Sequence, residues 1–278
     1  MKVNDISVVI CNKNSIKFLK KTIPIYKKIK LGQLIVIDGK SKDGSIVYLK
    51  KEKIDVISDY GKGLSYSRKI GIKNSTKKFI LITGPDDFCD KEFFKKLCSK
   101  FKKSNFEAAN FLLKIKKPIT YWDHGLNFYF NYIRKPGISK VIGTPTIFDK
   151  NIFKKIKYNI NTCGCDDTDI SEQLINNHYK IGTLNIKCNQ GNRNNLKNIL
   201  EKFNLYGISD FNYYQFKNKY FCLKNLLITY YRPLKHFICL FFLSLRSFRM
   251  KLILFIIIIT VLRYRGLLNK HYKSLLIK

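Results

Sequence analysis

Phe79-Ile80-Leu81-Ile82-Thr83-Gly84-Pro85-Asp86-Asp87 reads as a buried strand that empties into a turn carrying two adjacent carboxylates. An apolar run without polar alternation suits a strand covered on both faces, as in a parallel sheet. Ile6–Cys11 and Gln33–Asp38 repeat the pattern upstream, the second also ending on a carboxylate. Between them, Asn14 or Ser15 is placed to cap a helix through about Lys28, and Asp43 to cap one through Lys51. A short strand over Asp55–Ser58 leads to Tyr60-Gly61-Lys62-Gly63 and a helix from about Leu64 to Lys73. Strands alternating with helices predict an α/β fold, a Rossmann-like and mainly parallel sheet flanked by helices.

In such sheets ligands sit outside the carboxyl ends of the strands. Cys11-Asn12, Asp38-Gly39, Gly61-Lys62-Gly63 and Asp86-Asp87 all fall at such ends and are expected to share one crevice. The helix starting near Leu64 turns its amide end toward that crevice, which suits a diphosphate. Gly61 and Gly63 allow close backbone approach, and Lys62 and Arg68 supply charge. Each glycine alone is an ordinary turn; the convergence of four loops is the signal.

Downstream come a helix from Lys91 to about Phe101 and a strand near Phe106–Leu113. Tyr121-Trp122-Asp123-His124, followed by Tyr129, Phe130 and Tyr132, reads as a loop whose aromatic faces suit core packing, or a sugar or lipid-linked acceptor. Asp166-Asp167-Thr168-Asp169 opens a helix toward Asn177, a position the helix dipole favours for acids in any case.

The 53 Lys and Arg outnumber the 19 Asp and Glu, for a net charge of +34. With 45% hydrophobic and 14% aromatic residues, the chain is too apolar for a disordered polycation, so a folded core is expected. The charge implies anionic company, or reflects a Lys-, Asn- and Ile-rich composition. No nucleic-acid-binding signature accompanies it, and clustered carboxylates repel phosphate, so no nucleic acid partner is expected. Met1–Asp5 carries no secretory signal, and the eight cysteines are scattered. Cys163-Gly164-Cys165 lacks a second half at zinc spacing, so a reduced, cytoplasmic protein is expected.

Five fragments, in order, resemble the family 2 glycosyltransferases of the GT-A fold. Ile6–Asn14 is similar to the family's opening strand, VSVIIPTYN; Leu34–Ser45 to VIDGGSTDGT; Gly63–Ile72 to GxSxARNxGI; Phe79–Asp87 to YILFLDSDD; and Cys165–Ile170, followed by Tyr179–Gly182, to GEDTDLSLRL and GYKI. The resemblance covers Ile6 to Leu184. It implies direct displacement with inversion at the anomeric carbon, with a nucleotide-sugar donor, UDP-linked or another NDP-sugar, bound by Cys11, Asn12, Asp38, Gly63, Arg68 and Asp86. It further implies Mg²⁺ or Mn²⁺ held by Asp86 and Asp87, and Asp167 as general base with Asp166 and Asp169 in reserve. Three positions depart from the family pattern: Gly39, Gly84 and Lys69.

Beyond the GT-A domain, residues 1–190, the composition changes. Within 191–278 the apolar blocks Phe237–Leu245 and Leu252–Leu262 are split and flanked by Arg and Lys. Each is shorter than the roughly 20 residues that cross a bilayer, so helices lying at an anionic membrane surface, or a shallow re-entrant pair, are expected, with a buried hairpin as the alternative. The whole predicts a transferase acting on a lipid- or glycan-linked acceptor in surface polysaccharide biosynthesis, peripheral to the inner face of the cell membrane. The alternatives are a non-catalytic basic protein binding anionic membrane or nucleic acid, or a degenerate transferase subunit.

Overall fold

The computed structural model describes residues 1–160, 164–191, 195–217 and 222–275; Cys163 lies outside them. The elements follow as β1 (Ile6–Asn12), α1 (Ile16–Lys27), β2 (Gln33–Asp38), α2 (Ser45–Lys51), β3 (Asp55–Ser58), α3 (Leu64–Asn74), β4 (Phe79–Thr83), β5 (Asp87–Phe88) and α4 (Lys91–Ser104). The order continues with β6 (Ala108–Ile115), α5 (Tyr121–Ile133), β7 (Gly137–Ile138), β8 (Thr146–Asp149), α6 (Asp166–Asn176), β9 (Ile181–Gln190), α7 (Leu196–Lys217), α8 (Leu223–Arg246) and α9 (Ile253–Leu275). They fall into two compact units.

The first unit is one sheet ordered β3-β2-β1-β4-β8-β6-β9-β5, with β7 on β9. β3, β2, β1 and β4 run parallel, while β8 enters antiparallel between β4 and β6. The order reverses between β1 and β4, the switch point that opens a crevice at their carboxyl ends. Val9, Ile35, Ile37, Ile80, Ile82 and Phe148 form the core on one face of this sheet with Ile170 and Leu174 of α6. The expected caps differ in detail. Gly44, at φ 85°, is the N-cap of α2, and Asp43 serves two starts: its carboxylate accepts from Ser45 N at 3.1 Å and from Ile16 N of α1 at 2.8 Å.

The second unit consists of α5 and α7–α9. The aromatic segment expected as a loop is helix α5, its Leu126, Phe128, Tyr129 and Phe130 buried. Gly125 shows why a glycine interrupts it: a Cβ there would lie 2.4 Å from the Phe255 ring. α7 and α9 touch backbone to backbone, because a Cβ at Gly207 would meet Arg263 O at 1.9 Å and one at Gly266 would meet Asn204 O at 2.0 Å. Arg263 also donates from Nε and Nη2 to Asp210 at 2.6 and 3.0 Å. The two C-terminal apolar blocks are parts of longer helices, α8 and α9, each long and apolar enough to cross a membrane by length and composition.

Candidate active site

At the end of β1, Asn12 Nδ2 donates to Asp38 Oδ2 at 2.7 Å and to Ser41 Oγ at 3.2 Å. Ser41 in turn donates from N and Oγ to the Asp38 carboxylate, both within 2.8 Å. Asp38 is thus buried and spent on ordering its own loop. Asn12 Oδ1 is also buried, but it has no partner among the described residues. A buried acceptor without a donor costs free energy until a ligand supplies one. Burial pushes the Cys11 thiol up to about 12 against the pull of Arg68, so it stays protonated.

After β3, buried Asp59 holds the glycine loop, accepting from Gly61 N at 2.6 Å and from Ser67 Oγ at 2.5 Å. A Cβ added to Gly63, at φ 95°, would meet nothing within 4 Å, so backbone conformation rather than space requires glycine there. Gly63 is the N-cap of α3 and offers no side chain to the first-turn amides. Those amides are left for another acceptor.

Arg68 on α3 is buried. Its Nη1 donates to Asp166 Oδ2 and, at 2.7 Å, to Asp167 Oδ1, while Nη2 donates to Thr144 Oγ1. Burial works against its charge, but Asp166 and then Asp167 outweigh it and hold the guanidinium above its ordinary pKa. The two acids differ: the Asp166 side chain is 3% exposed and that of Asp167 37%. The other Asp167 oxygen faces Gly143 and Arg134, since a Cβ at Gly143 would lie 3.1 Å from Asp167 Oδ2 and 3.3 Å from Arg134 Nη2. Arg134 is anchored by the carbonyls of Phe111, Gly143 and Thr144 at 2.7–3.0 Å. The Phe111 carbonyl lies where the β6–β9 register shifts.

At the end of β4, Asp86 and Asp87 are both buried. Asp87 accepts from Gly84 N at 2.8 Å, Thr83 Oγ1 at 3.1 Å and Gln190 Nε2 at 3.2 Å. Burial, and next the charge of Asp86, pushes its carboxyl up to about 6 despite these bonds. Both carboxylates lean over the bare edge of Gly84: a Cβ there would sit 2.8 Å from Asp86 Oδ1 and 3.3 Å from Asp87 Oδ2. Hard oxygens of two acids converging on one open backbone position fit Mg²⁺ or Mn²⁺ with its remaining oxygens supplied by ligand and water. Among the described residues, no three His, Cys, Asp or Glu side chains gather to hold a metal alone.

The structure therefore brings Asn12 to Asp38, Asp86 to Asp87, and Arg68 to Asp166 and Asp167. The Glycosyl transferase family 2 model matches residues 7–157, more than half of the chain. The chain belongs to glycosyl transferase family 2. That match takes in Asp38, Arg68, Asp86 and Asp87 and ends before Asp166. Asp59, Arg134 and Thr144 stand with these residues without having been signalled by sequence; the Asp-X-Gly turn at Asp59 is the one cue that was available.

No curated protein matches the chain. Among solved structures, S. aureus TarS 1–349 in complex with UDP-GlcNAc is similar with a TM-score of 0.51 and 14% identity, covering 76% of this chain and 66% of that one. GalNAc-T7 with UDP, GalNAc and Mn²⁺ gives 0.54 and 14%, covering 73% and 47%. The chain thus spans just under two thirds of the first and less than half of the second. At such identity the likeness is one of fold, and with the sheet order above it makes this family 2 chain a GT-A fold with a helical appendage.

Proposed function

We propose that the protein is an inverting glycosyltransferase that moves a sugar from a UDP- or other NDP-sugar to a lipid-linked or glycan acceptor in surface polysaccharide biosynthesis. The observation that carries this reading is the Arg68 bridge, which sets a partly exposed carboxylate, Asp167, against a buried cation and a fully buried acid. A base must be reachable by the acceptor and must bind the proton it takes; Asp167 is partly exposed, and burial, only partly offset by Arg68, raises its carboxyl above its ordinary pKa.

The nucleoside end of the donor fits the β1–β2 crevice, where Asn12 Oδ1 awaits a donor group beside the main chain of Cys11 and the loop ordered by Asp38. Its diphosphate fits Gly63 and the amide end of α3. Arg68 Nε, buried and without a partner among the described residues, is the part of that side chain left for the donor. As the acceptor oxygen attacks the anomeric carbon, its proton passes to Asp167; the bond from that carbon to the diphosphate oxygen breaks, and its electron pair leaves on the diphosphate. Asp166, paired with Arg68, fixes the orientation of the base. Asp86 and Asp87 would hold Mg²⁺ or Mn²⁺, which supplies charge neutralisation to the diphosphate. The lipid-linked acceptor assigns the protein to the inner face of the cell membrane, a placement supported by the lack of any Asp or Glu after Asp210.

Calorimetry with a panel of nucleotide sugars, with and without Mn²⁺, tests the proposal. One nucleotide sugar is expected to bind in a metal-dependent manner that Asp86→Ala abolishes. Salt-sensitive binding of any polyanion, with no nucleotide-sugar preference, overturns it.

A further inference from the structure

Helix α8 is built inside out. The side chains it buries are Thr229, Pro233, Leu240 and Ser244, while a row of large apolar ones points outward. Leu227, Tyr231, Leu234, Ile238, Phe242 and Leu245 recur at intervals of 4, 3, 4, 4 and 3, so they form a single row, and each is between 37% and 64% exposed. The row runs about 27 Å along the helix. The turn that follows continues it with Phe248 and Met250, 95% and 63% exposed. A soluble helix buries such a row and exposes its polar face. A mostly small and polar inward face with a long apolar row outward suits a helix whose outer solvent is lipid.

The surrounding charge selects the occupant. Lys224, Lys235 and Arg246 follow one edge of the row, Arg249 and Lys251 lie in the turn, and no acid occurs anywhere after Asp210. A second copy of this chain would bring cations against cations with no carboxylate between them. An anionic phospholipid surface is complementary, and each cation near it adds to the attraction. Arg232 and Lys235 stand in the middle of the 24-residue helix. A spanning orientation would place both charges near the bilayer centre, where they are costly, whereas an in-plane helix leaves both at the headgroups.

We propose that α8 and the Arg246–Lys251 turn lie in the plane of an anionic membrane leaflet, with the Leu227–Leu245 row immersed and the basic edge at the headgroups. This inference deepens the membrane placement proposed above and rests on it.

The test is flotation of the full chain with vesicles of phosphatidylcholine alone or mixed with phosphatidylglycerol. Co-flotation with the mixed vesicles, reduced by salt, is expected. Leu234→Glu with Phe242→Glu should lower partitioning about tenfold or more. The gentler Lys235→Glu with Arg246→Glu should lower it while leaving the melting temperature unchanged. Transfer to a water-soluble acceptor should be unchanged in both, so a protein that floats without transferring sugar defeats the enzymatic reading and leaves the docking intact. For orientation, Leu234→Trp and Leu245→Trp, each made in a Trp122→Phe background, should be quenched by brominated lipids at one shallow depth. A deep Leu234→Trp with a shallow Leu245→Trp, no binding to the mixed vesicles, or a solution dimer that Leu234→Glu dissociates would each overturn the proposal.

Discussion

Arg68 and Asp166 form an ion pair in which both side chains are almost wholly withdrawn from water, 5% and 3% exposed. Removing one member of such a pair leaves the other charged and buried, at a cost of about 3–5 kcal/mol. Arg68→Met should therefore lower thermal stability sharply and abolish transfer, with calorimetric unfolding as the readout. Arg68→Lys keeps the charge but cannot reach Asp166, Asp167 and Thr144 together. It is expected to recover most of the stability and little of the activity.

Asp167→Asn tests the base. The side chain is partly exposed, so the melting temperature should hardly move. Donor affinity by calorimetry should persist while kcat falls about 10²–10⁴-fold. Unchanged turnover would assign the proton to another group.

Gly84→Ala places a methyl group 2.8 Å from Asp86 Oδ1. It should weaken Mn²⁺-dependent nucleotide binding more than it lowers stability, because the crowded atom is a side-chain oxygen at the rim of the crevice. Equal metal dependence in the variant and the parent would separate Asp86 and Asp87 from the metal.

In the second unit, His236 accepts from Arg263 Nη1 at 2.7 Å through Nδ1, which requires a neutral ring. Burial first, then Arg263, with Lys235 and Arg232 adding to it against Asp210, lowers its pKa to about 4 from 6.5; the Tyr132 ring packs against it edge-on. The unfolded chain then binds the proton more readily than the folded one. Stability is full above pH 6.5 and declines as pH falls toward 4, by about 1–2 kcal/mol for a partly solvated ring. Chemical denaturation across that window should show the slope, and His236→Gln should flatten it.

Gly207→Ala drives a methyl group into the Arg263 carbonyl. Overpacking of this kind costs about 1–3 kcal/mol, and here the obstacle is backbone rather than a movable side chain. Thermal unfolding should report a loss at least that large, with nucleotide binding by the intact folded fraction unchanged.

The parallel strands were legible because β1, β2 and β4 are buried on both faces, and their apolar runs show it directly. The same holds for the acids at their ends, since a carboxylate terminating such a run has few structural uses. The Arg68 bridge was not legible: Arg68 and Asp166 stand 98 positions apart, and only β8, inserted antiparallel beside β4, brings Thr144 to meet them. Nor did α5 show as a helix. Its Gly125 and ring-rich composition suit a loop when read locally, and the reason for the glycine is Phe255, 130 residues further on.

The α5 segment also sets an order of events during synthesis. Residues 117–133 leave the ribosome well before α7 and α9, against which Tyr129 and Gly125 pack through Phe203 and Phe255. A chain ending at Gly191 would lack the Phe203 and Phe255 rings that pack against Tyr129 and Gly125. The second unit therefore closes only when synthesis is nearly complete, and until α7 and α9 emerge Tyr129 and Gly125 are without those partners.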